Sequence, residues 1–295
     1  MLQSVFDVQA IDANRQQLIA AIPDVDVLWV RLRNMIDKEI MDHAPKLTTI
    51  ATNTTGLNHV DLDEAAKREI AIVSLKGEYE FLSDIRATAE HTIGLALALL
   101  RKIPAAHNHA SAGGWDRYPF KGHELYEQTA GIIGYGRLGK IVAGYFKAFG
   151  MKVLACDPNV SDTPDDVLKV ELDELVTQSD VISLHVDYQP ENNQMIDKAV
   201  FDHVKQGAVF INTARGELVN ESDLLAALNS GRLAGAALDV VASEHTDSDA
   251  RAALVQYTTE NDNLILTPHI GGNTFESHFK TEEFLAQKLL NAKNR

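Results

Sequence analysis

The sequence predicts an α/β fold built on parallel sheets, and three observations predict it. Short β-branched runs alternate with longer stretches of helical periodicity along the chain. A second, more regular series begins at Thr129 and holds six strand-like runs with helical ones between them, the element count of a complete doubly wound sheet. Its first strand runs into a glycine-rich turn, Gly131-Ile-Ile-Gly134-Tyr-Gly136-Arg-Leu-Gly139, that opens a helix. At 295 residues the chain has room for about two domains.

In the first series the candidate strands are Val27–Arg31, Leu47–Thr52 and Ile70–Ser74, with amphipathic stretches at Asp37–His43 and Asp61–Arg68. Asp84–Lys102 reads as one long helix. Its second half, Ile93–Leu100, is apolar all round, which suits either an interface between copies or a buried core at a hinge. The strands of the second series are Ala130–Gly134, Lys152–Asp157, Val181–Val186, Ala208–Asn212, Gly235–Val240 and Leu264–Thr267. One helix among them is punctuated at both ends. Asn220 is placed to cap it, Leu224, Leu225 and Leu228 form its apolar stripe, and Gly231 can take the left-handed position that stops it. Thr274–Leu290 reads as a last helix. The pattern predicts an inserted domain at residues 101–270, between the two pieces (1–100 and 271–295) of another.

Composition narrows the function. With 45% hydrophobic and 23% charged residues the chain is ordinary globular protein. A net charge of −15 argues against nucleic acid and anionic membrane as partners, though not against a small anion held by a few local cations. A single cysteine, Cys156, excludes an internal disulfide and a Cys-based zinc site, and no metal site is expected. The longest apolar run falls short of the roughly 20 residues a membrane span needs. The start of the chain does not read as a signal peptide, so a cytoplasmic location is expected.

The glycine turn has a chemical reading. Gly134 permits the tight turn, Gly136 lets backbone approach a pyrophosphate, and Gly139 lets helix and strand pack closely. The helix from about Arg137 to Phe149 presents unpaired N–H groups and a partial positive charge at its start. Eighteen residues past Gly139, Asp157 ends the next strand, where a carboxylate accepts from the adenosine ribose hydroxyls. Its charge repels a 2′-phosphate and so favours NAD over NADP. Glycines are common in turns, and Asp157 alone could be a turn residue; turn, helix and acid together specify a dinucleotide.

Three further residues follow strand ends, the edge at which doubly wound sheets bind ligands. Arg215 lies in Asn212-Thr-Ala-Arg215-Gly216, Glu244 follows the strand ending Asp239-Val240, and His269 lies in Thr267-Pro-His269-Ile-Gly-Gly272. Taken singly they could be a surface cation, a solvated loop acid and a turn histidine. Three on one edge beside a dinucleotide turn point to a site.

With these residues in view, the chain resembles the D-isomer-specific 2-hydroxyacid dehydrogenases over nearly its whole length, and among them the D-3-phosphoglycerate dehydrogenase-like proteins. The likeness is strongest at Gly131–Gly139, Ile211–Asn220, Ala236–Val240 and Leu266–Gly272. It implies a Rossmann-type doubly wound parallel sheet inserted in a smaller flavodoxin-like α/β substrate domain. It also implies an NAD-dependent enzyme moving hydride between nicotinamide and a small D-2-hydroxy or 2-oxo acid, 3-phosphoglycerate among the candidates. Arg215 would clamp the substrate carboxylate and 2-oxygen with its planar donor fork. His269 would be the general acid/base, and Glu244 would hold its other ring nitrogen and fix the tautomer. The family's formate dehydrogenases resemble this layout but carry an amide in place of that acid, so Glu244 favours a hydroxy acid.

By the same resemblance Thr213 and Asp239 lie near the nicotinamide, with Ala214, Gly271 and Gly272 bordering the cofactor and His185 and Val186 beneath it. Arg137 and Leu138 offer amides to the pyrophosphate, and Thr55 sits in a cofactor-facing turn, Thr54-Thr55-Gly56-Leu57. Lys76 and Gly77 fall in the loop whose backbone N–H groups hold the substrate carboxylate. Arg31 and Arg33 match cations that face a phosphate, unless one of the pair is simply solvated. The implied partners are a small anionic 2-hydroxy or 2-oxo acid and a second copy of the chain, a homodimer formed through the cofactor domain and the helix after Ile85.

The chain departs from the family pattern at two places. It begins late, as though one βα unit before Val5–Val8 were absent, and the loop Leu75–Asp84 is longer than the usual Asn/Ser-rich version. No regulatory extension follows the last helix, so serine feedback is not expected. Two other readings stay open at this stage: a non-catalytic NAD(H)-sensing binding protein of the same fold, and a hydroxypyruvate/glyoxylate-type reductase.

Overall fold

The computed structural model describes residues 2–242, 244 and 249–293. The chain forms two compact units, Met1–Ile85 with Phe275–Arg295, and Arg86–Thr274.

In the first unit β1 (Val27–Val30), β2 (Thr49–Thr52) and β3 (Ala71–Val73) make a parallel sheet in that order. The helices Arg15–Ala21, Lys38–Asp42 and Leu62–Lys67 are too short to stand alone, and side-chain caps start each of them. Asn14, Asp37 and Asp61 accept the backbone N–H three residues on. Packing does the rest: Leu18, Ile40, Met41 and Ala65 close over Leu28, Val30 and Ile50. The last helix, Phe275–Lys293, returns to this unit, with Leu285 and Leu289 clustered with Ala51 and Val73. Its Lys288 donates to Ser74 O at 2.8 Å and to Glu78 Oε1 at 2.5 Å, which ties the helix to the loop after β3.

The second unit is a seven-stranded parallel sheet. Its strands are β4 (Thr129–Ile133), β5 (Lys152–Cys156), β6 (Leu168–Lys169), β7 (Val181–Leu184), β8 (Ala208–Asn212), β9 (Leu233–Leu238) and β10 (Leu264–Leu266), in the order β10-β9-β8-β7-β4-β5-β6. The order reverses between β4 and β7, the switch point at which such sheets bind ligands. Every residue of β7 and β8 is buried, as expected of a sheet covered on both faces. Successive residues feed opposite layers: Ala208 and Phe210 one, Val209 and Ile211 the other. The helices Ala87–Leu100 and Arg137–Ala148 cover one face through Ala89, Ile93, Ala96, Val142 and Phe146. The helices Leu172–Gln178, Glu221–Asn229 and Asp249–Glu260 cover the other through Leu175, Leu224 and Leu254.

The architecture matches the expected α/β fold with a Rossmann-type sheet, and differs from the sequence reading in three details. The sheet gains β6, a two-residue strand with both residues exposed, which leaves no pattern to read. The long helix ends at Leu100. Lys102 adopts a left-handed conformation, φ 51°, and a second helix, Ile103–Ser111, begins after it. The unit boundaries fall at 85/86 and 274/275 rather than at 100/101 and 270/271. The first moves because Ala87–Leu100 packs on β8, β9 and β10, burying Ile93, Leu95 and Ala96 in the core of the second unit. Asn220 caps its helix as read, accepting Asp223 N–H at 3.1 Å, and Gly231 ends it at φ 70°.

Candidate active site

The glycine turn leaves β4 at the switch point. Gly134 has φ 90°, and a Cβ there would lie 2.6 Å from His185 O, so neither the backbone nor the neighbouring strand end admits a side chain. Gly139 is as constrained, since a Cβ would meet Gly134 O at 2.1 Å. Gly136 differs: it caps the helix Arg137–Ala148, and a Cβ there would find nothing within 4 Å. Among the described residues no atom requires glycine at that position, and the open space over the helix start fits a pyrophosphate. Arg137 and Leu138 follow as the first helical residues, and burial, with help from the charge of Arg86, lowers the Arg137 guanidinium.

Asp157 stands just past β5, its Oδ2 accepting Tyr135 N–H from the turn and its Oδ1 accepting Asn159 N–H, both at 2.9 Å. Both oxygens keep further acceptor capacity for ribose hydroxyls. His185 and Val186 follow β7. His185 is half-buried, with Nε2 2.8 Å from Ser183 Oγ and a buried Nδ1 without a partner among the described residues. Burial pushes it down to about 3, so it stays neutral. These residues fit a bound dinucleotide.

At the ends of β8, β9 and β10 the remaining candidates collect. Thr213 and Ala214 are buried; Thr213 Oγ1 lies 2.9 Å from Thr92 Oγ1, and Ala214 N donates to Asn212 Oδ1 at 2.9 Å. Asn212 also donates through Nδ2 to Arg215 O at 2.8 Å, so one side chain pins both ends of the turn carrying Arg215. The Arg215 guanidinium is half-buried and folds back to donate to Ala214 O at 2.5 Å.

His269 and Glu244 meet directly, Nδ1 to Oε2 at 2.7 Å, with each side chain about a quarter exposed, 25% and 22%. His269 adopts φ 53° and donates its backbone N–H to Asp239 O at 2.8 Å. Asp239, 2% exposed, gathers this corner. Its Oδ1 accepts from Thr267 Oγ1 at 2.6 Å and Ile270 N at 2.9 Å, and its Oδ2 from Gly271 N at 2.7 Å. Burial alone would raise this carboxyl, but these donors and His91 outweigh it and hold Asp239 below the usual carboxylate range. A Cβ on Gly271 would sit 2.9 Å from Asp239 Oδ2, whereas Gly272 has open space. Gly216, the neighbour of Arg215, lies against the loop that carries Glu244, where a Cβ would come 2.0 Å from Val241 C.

The other candidates belong to the first unit. Thr55 is exposed in the turn after β2. Gly77 takes φ 86°, and Lys76 N–H turns inward to Ser74 Oγ at 3.3 Å. Arg31 is engaged by Glu282, and its Nη1 lies 3.2 Å from His278 Nδ1; Arg33 pairs with Asp12. Both cations thus already have acidic partners within their own unit.

Sequence reasoning missed two residues that build the site, Asn212 and His91. His91 Nε2 lies 3.2 Å from Asp239 Oδ1 and 3.1 Å from Thr267 Oγ1. Its signal was a histidine just before the stretch of that helix that is apolar all round, Ile93–Leu100. Among the described residues no group of His, Cys, Asp or Glu is arranged to hold a metal, and no helix is long and apolar enough to cross a membrane.

A dinucleotide turn at the switch point, with a carboxylate-paired imidazole on the same edge, is the layout of a nicotinamide-dependent oxidoreductase. Residues 93–271 match the family described as D-isomer specific 2-hydroxyacid dehydrogenase, NAD binding domain, and the chain belongs to that family. D-3-phosphoglycerate dehydrogenase of Mycobacterium tuberculosis is 36% identical over 279 residues, 94% of this chain and 51% of that protein. Glyoxylate reductase of Thermofilum pendens is 35% identical over 285 residues, 94% of this chain and 81% of its own. Among solved structures, D-lactate dehydrogenase from Aquifex aeolicus in complex with NAD and lactic acid aligns with a TM-score of 0.81 at 29% identity, covering 94% of this chain and 85% of that one. The chain spans about half the length of the phosphoglycerate dehydrogenases it matches.

Proposed function

We propose that this protein is an NAD-dependent dehydrogenase that interconverts a small D-2-hydroxy acid and its 2-oxo acid. The observation that carries the reading is the 2.7 Å pairing of Glu244 with His269 on the sheet edge that bears the dinucleotide turn. Bound NAD supplies the carbon that accepts or gives hydride. The protein supplies the proton and the orientation. With Glu244 accepting Nδ1–H, Nε2 of His269 is the position that takes the proton of a substrate hydroxyl or returns one to a forming alkoxide. The imidazolium formed when that proton is taken is stabilised by the adjacent carboxylate, as in other base–orienter pairs. Arg215 offers a planar donor fork that suits a 2-oxo carboxylate and polarises the carbonyl about to be reduced. Asp239 anchors the backbone of His269 and the turn at Gly271, which keeps the imidazole in place. Asp157 favours NAD over NADP by repelling a 2′-phosphate.

Relatives bear the names of a phosphoglycerate dehydrogenase, a glyoxylate reductase and a hydroxypyruvate reductase, which brackets the substrate class. Because Arg31 and Arg33 are already paired with acids, short 2-oxo acids come ahead of the phosphorylated one. NADH oxidation with glyoxylate, pyruvate, hydroxypyruvate and 3-phosphohydroxypyruvate tests this. Turnover of at least one is expected, and none with any of them overturns the reading. The proposal includes a cytoplasmic location and a homodimer; exposed Ile103, Trp115 and Tyr118 on the second unit support the dimer, which sedimentation velocity checks.

A further inference from the structure

We propose that Glu221 is a positioning residue for the proton-transfer pair, its carboxylate holding the segment after β9 where Glu244 meets His269. The inference rests on the function read above, and names a residue that the reading does not use.

Glu221 opens the helix Glu221–Asn229. An acid in a first helical turn is favoured by the backbone dipole, and in water that would be its whole contribution. Here the residue is only 7% exposed. Burying a carboxylate is costly unless it is hydrogen-bonded. Burial pushes this group up, the Ala242 N–H only partly opposes that, and the nearby charge of Glu217 adds to the rise. The residue is therefore held inward at a cost, and what it meets there is specific: Oε1 accepts Ala242 N–H at 2.7 Å, two residues before Glu244.

Two other contacts fix the same segment. Gly216 packs its bare Cα face on the Val241–Ala242 peptide, where a Cβ would come 2.2 Å from Ala242 N. Arg251, on the helix Asp249–Glu260, donates to Glu244 O at 3.3 Å. Glu221 is the member of this set whose side chain does nothing but grip the loop backbone among the bonds described. It also follows Arg215 by six residues, through the short turn Gly216–Leu218. One stretch of chain thus carries the substrate-binding cation and the clamp on the acid that orients the base. Positioning of this kind is consequential because a displacement of about 1 Å at reacting groups costs up to roughly 100-fold in rate.

The test reads the tautomer of His269 by 15N NMR in the full chain without added nicotinamide or substrate, the signal assigned by its loss in His269→Gln. With Glu244 in place the neutral ring carries its proton on Nδ1. Glu221→Gln keeps an acceptor for Ala242 N–H and is expected to leave the tautomer as in the wild type, with kcat within about twofold. Glu221→Met keeps the volume but removes the acceptor. It is expected to shift the proton toward Nε2, and to lower kcat by ~10- to 100-fold while KM for NADH stays within about twofold. A wild-type tautomer in Glu221→Met overturns the proposal. If circular dichroism shows Glu221→Met unfolded, Glu221→Asp, one methylene short of Ala242, is read in the same way: a wild-type tautomer overturns the proposal and a shifted one supports it. Should the wild type turn over no 2-oxo acid, the functional reading falls, and the NMR result still decides the role of Glu221.

Discussion

His269 sits in the left-handed region, φ 53°, which costs a non-glycine residue on the order of 1 kcal/mol or more. The structure holds it there through Asp239 O and Thr267 O, which accept its backbone N–H at 2.8 and 2.9 Å. Strain kept at one histidine, with a carboxylate on its ring, is the mark of a side chain whose aim matters. His269→Ala is expected to lower kcat for 2-oxo acid reduction by ~10²- to 10⁴-fold. NADH affinity, measured by fluorescence titration, should stay within about threefold; an equal loss of affinity would make the residue structural. Asp157→Ala is expected to relax the preference for NADH over NADPH by about tenfold or more, because it removes a like charge facing the 2′-phosphate. Arg215, Glu244 and His269 could be proposed from the sequence because they lie 3, 6 and 3 residues past the ends of β8, β9 and β10. Asn212 and His91 could not. Their work consists of bonds to backbone or to an acid brought close only by the folded sheet, and no local spacing announces such a partner.

The strand–turn–helix at β4 separates two reasons for glycine. Gly139→Ala drives a Cβ to 2.1 Å from Gly134 O, a backbone atom, and to 3.1 Å from Ile132 Cγ2. Overpacking of this kind costs ~1–3 kcal/mol or more, so a lowered Tm is expected. Gly136→Ala meets nothing within 4 Å and should leave Tm nearly unchanged while weakening NADH binding, since the added methyl occupies the space a pyrophosphate needs. Parallel thermal melts and NADH titrations of the two variants check this; a Gly136→Ala protein that binds NADH like the wild type would remove the helix start from the site. Strands such as β7 and β8 were legible because they are mostly apolar runs buried on both faces. β6 was not, being two exposed residues on the sheet edge. The helix break at Lys102 was equally hidden, since its left-handed conformation falls on a residue with no preference for it.

At the scale of the molecule, the sequence predicts an insertion at residues 101–270, whereas the compact unit runs from Arg86 to Thr274. A helix that is apolar all round states that it is buried without stating which sheet buries it; here Ile93 and Leu95 join the core of the second unit. A histidine just past β7 also sets an acid sensitivity. His185 is neutral when folded, pushed down to about 3 by burial, whereas an unfolded chain binds a proton on this residue below about 6.5. Stability is therefore lost as pH falls through that window, by at most about 1.4 kcal/mol per pH unit from this group. Urea unfolding at pH 7 and pH 5 should show a smaller loss in His185→Gln than in the wild type; equal losses would place the sensitivity elsewhere.

The pairing of Glu244 with His269 joins these scales, and single-turnover reduction tests it most directly. NADH-loaded protein is mixed with an excess of the best 2-oxo acid, and the loss of NADH absorbance is followed in the wild type and in Glu244→Gln. A fall of ~10²-fold or more in the rate at unchanged NADH affinity is the predicted result. A Glu244→Gln protein that oxidises NADH as fast as the wild type would contradict the account.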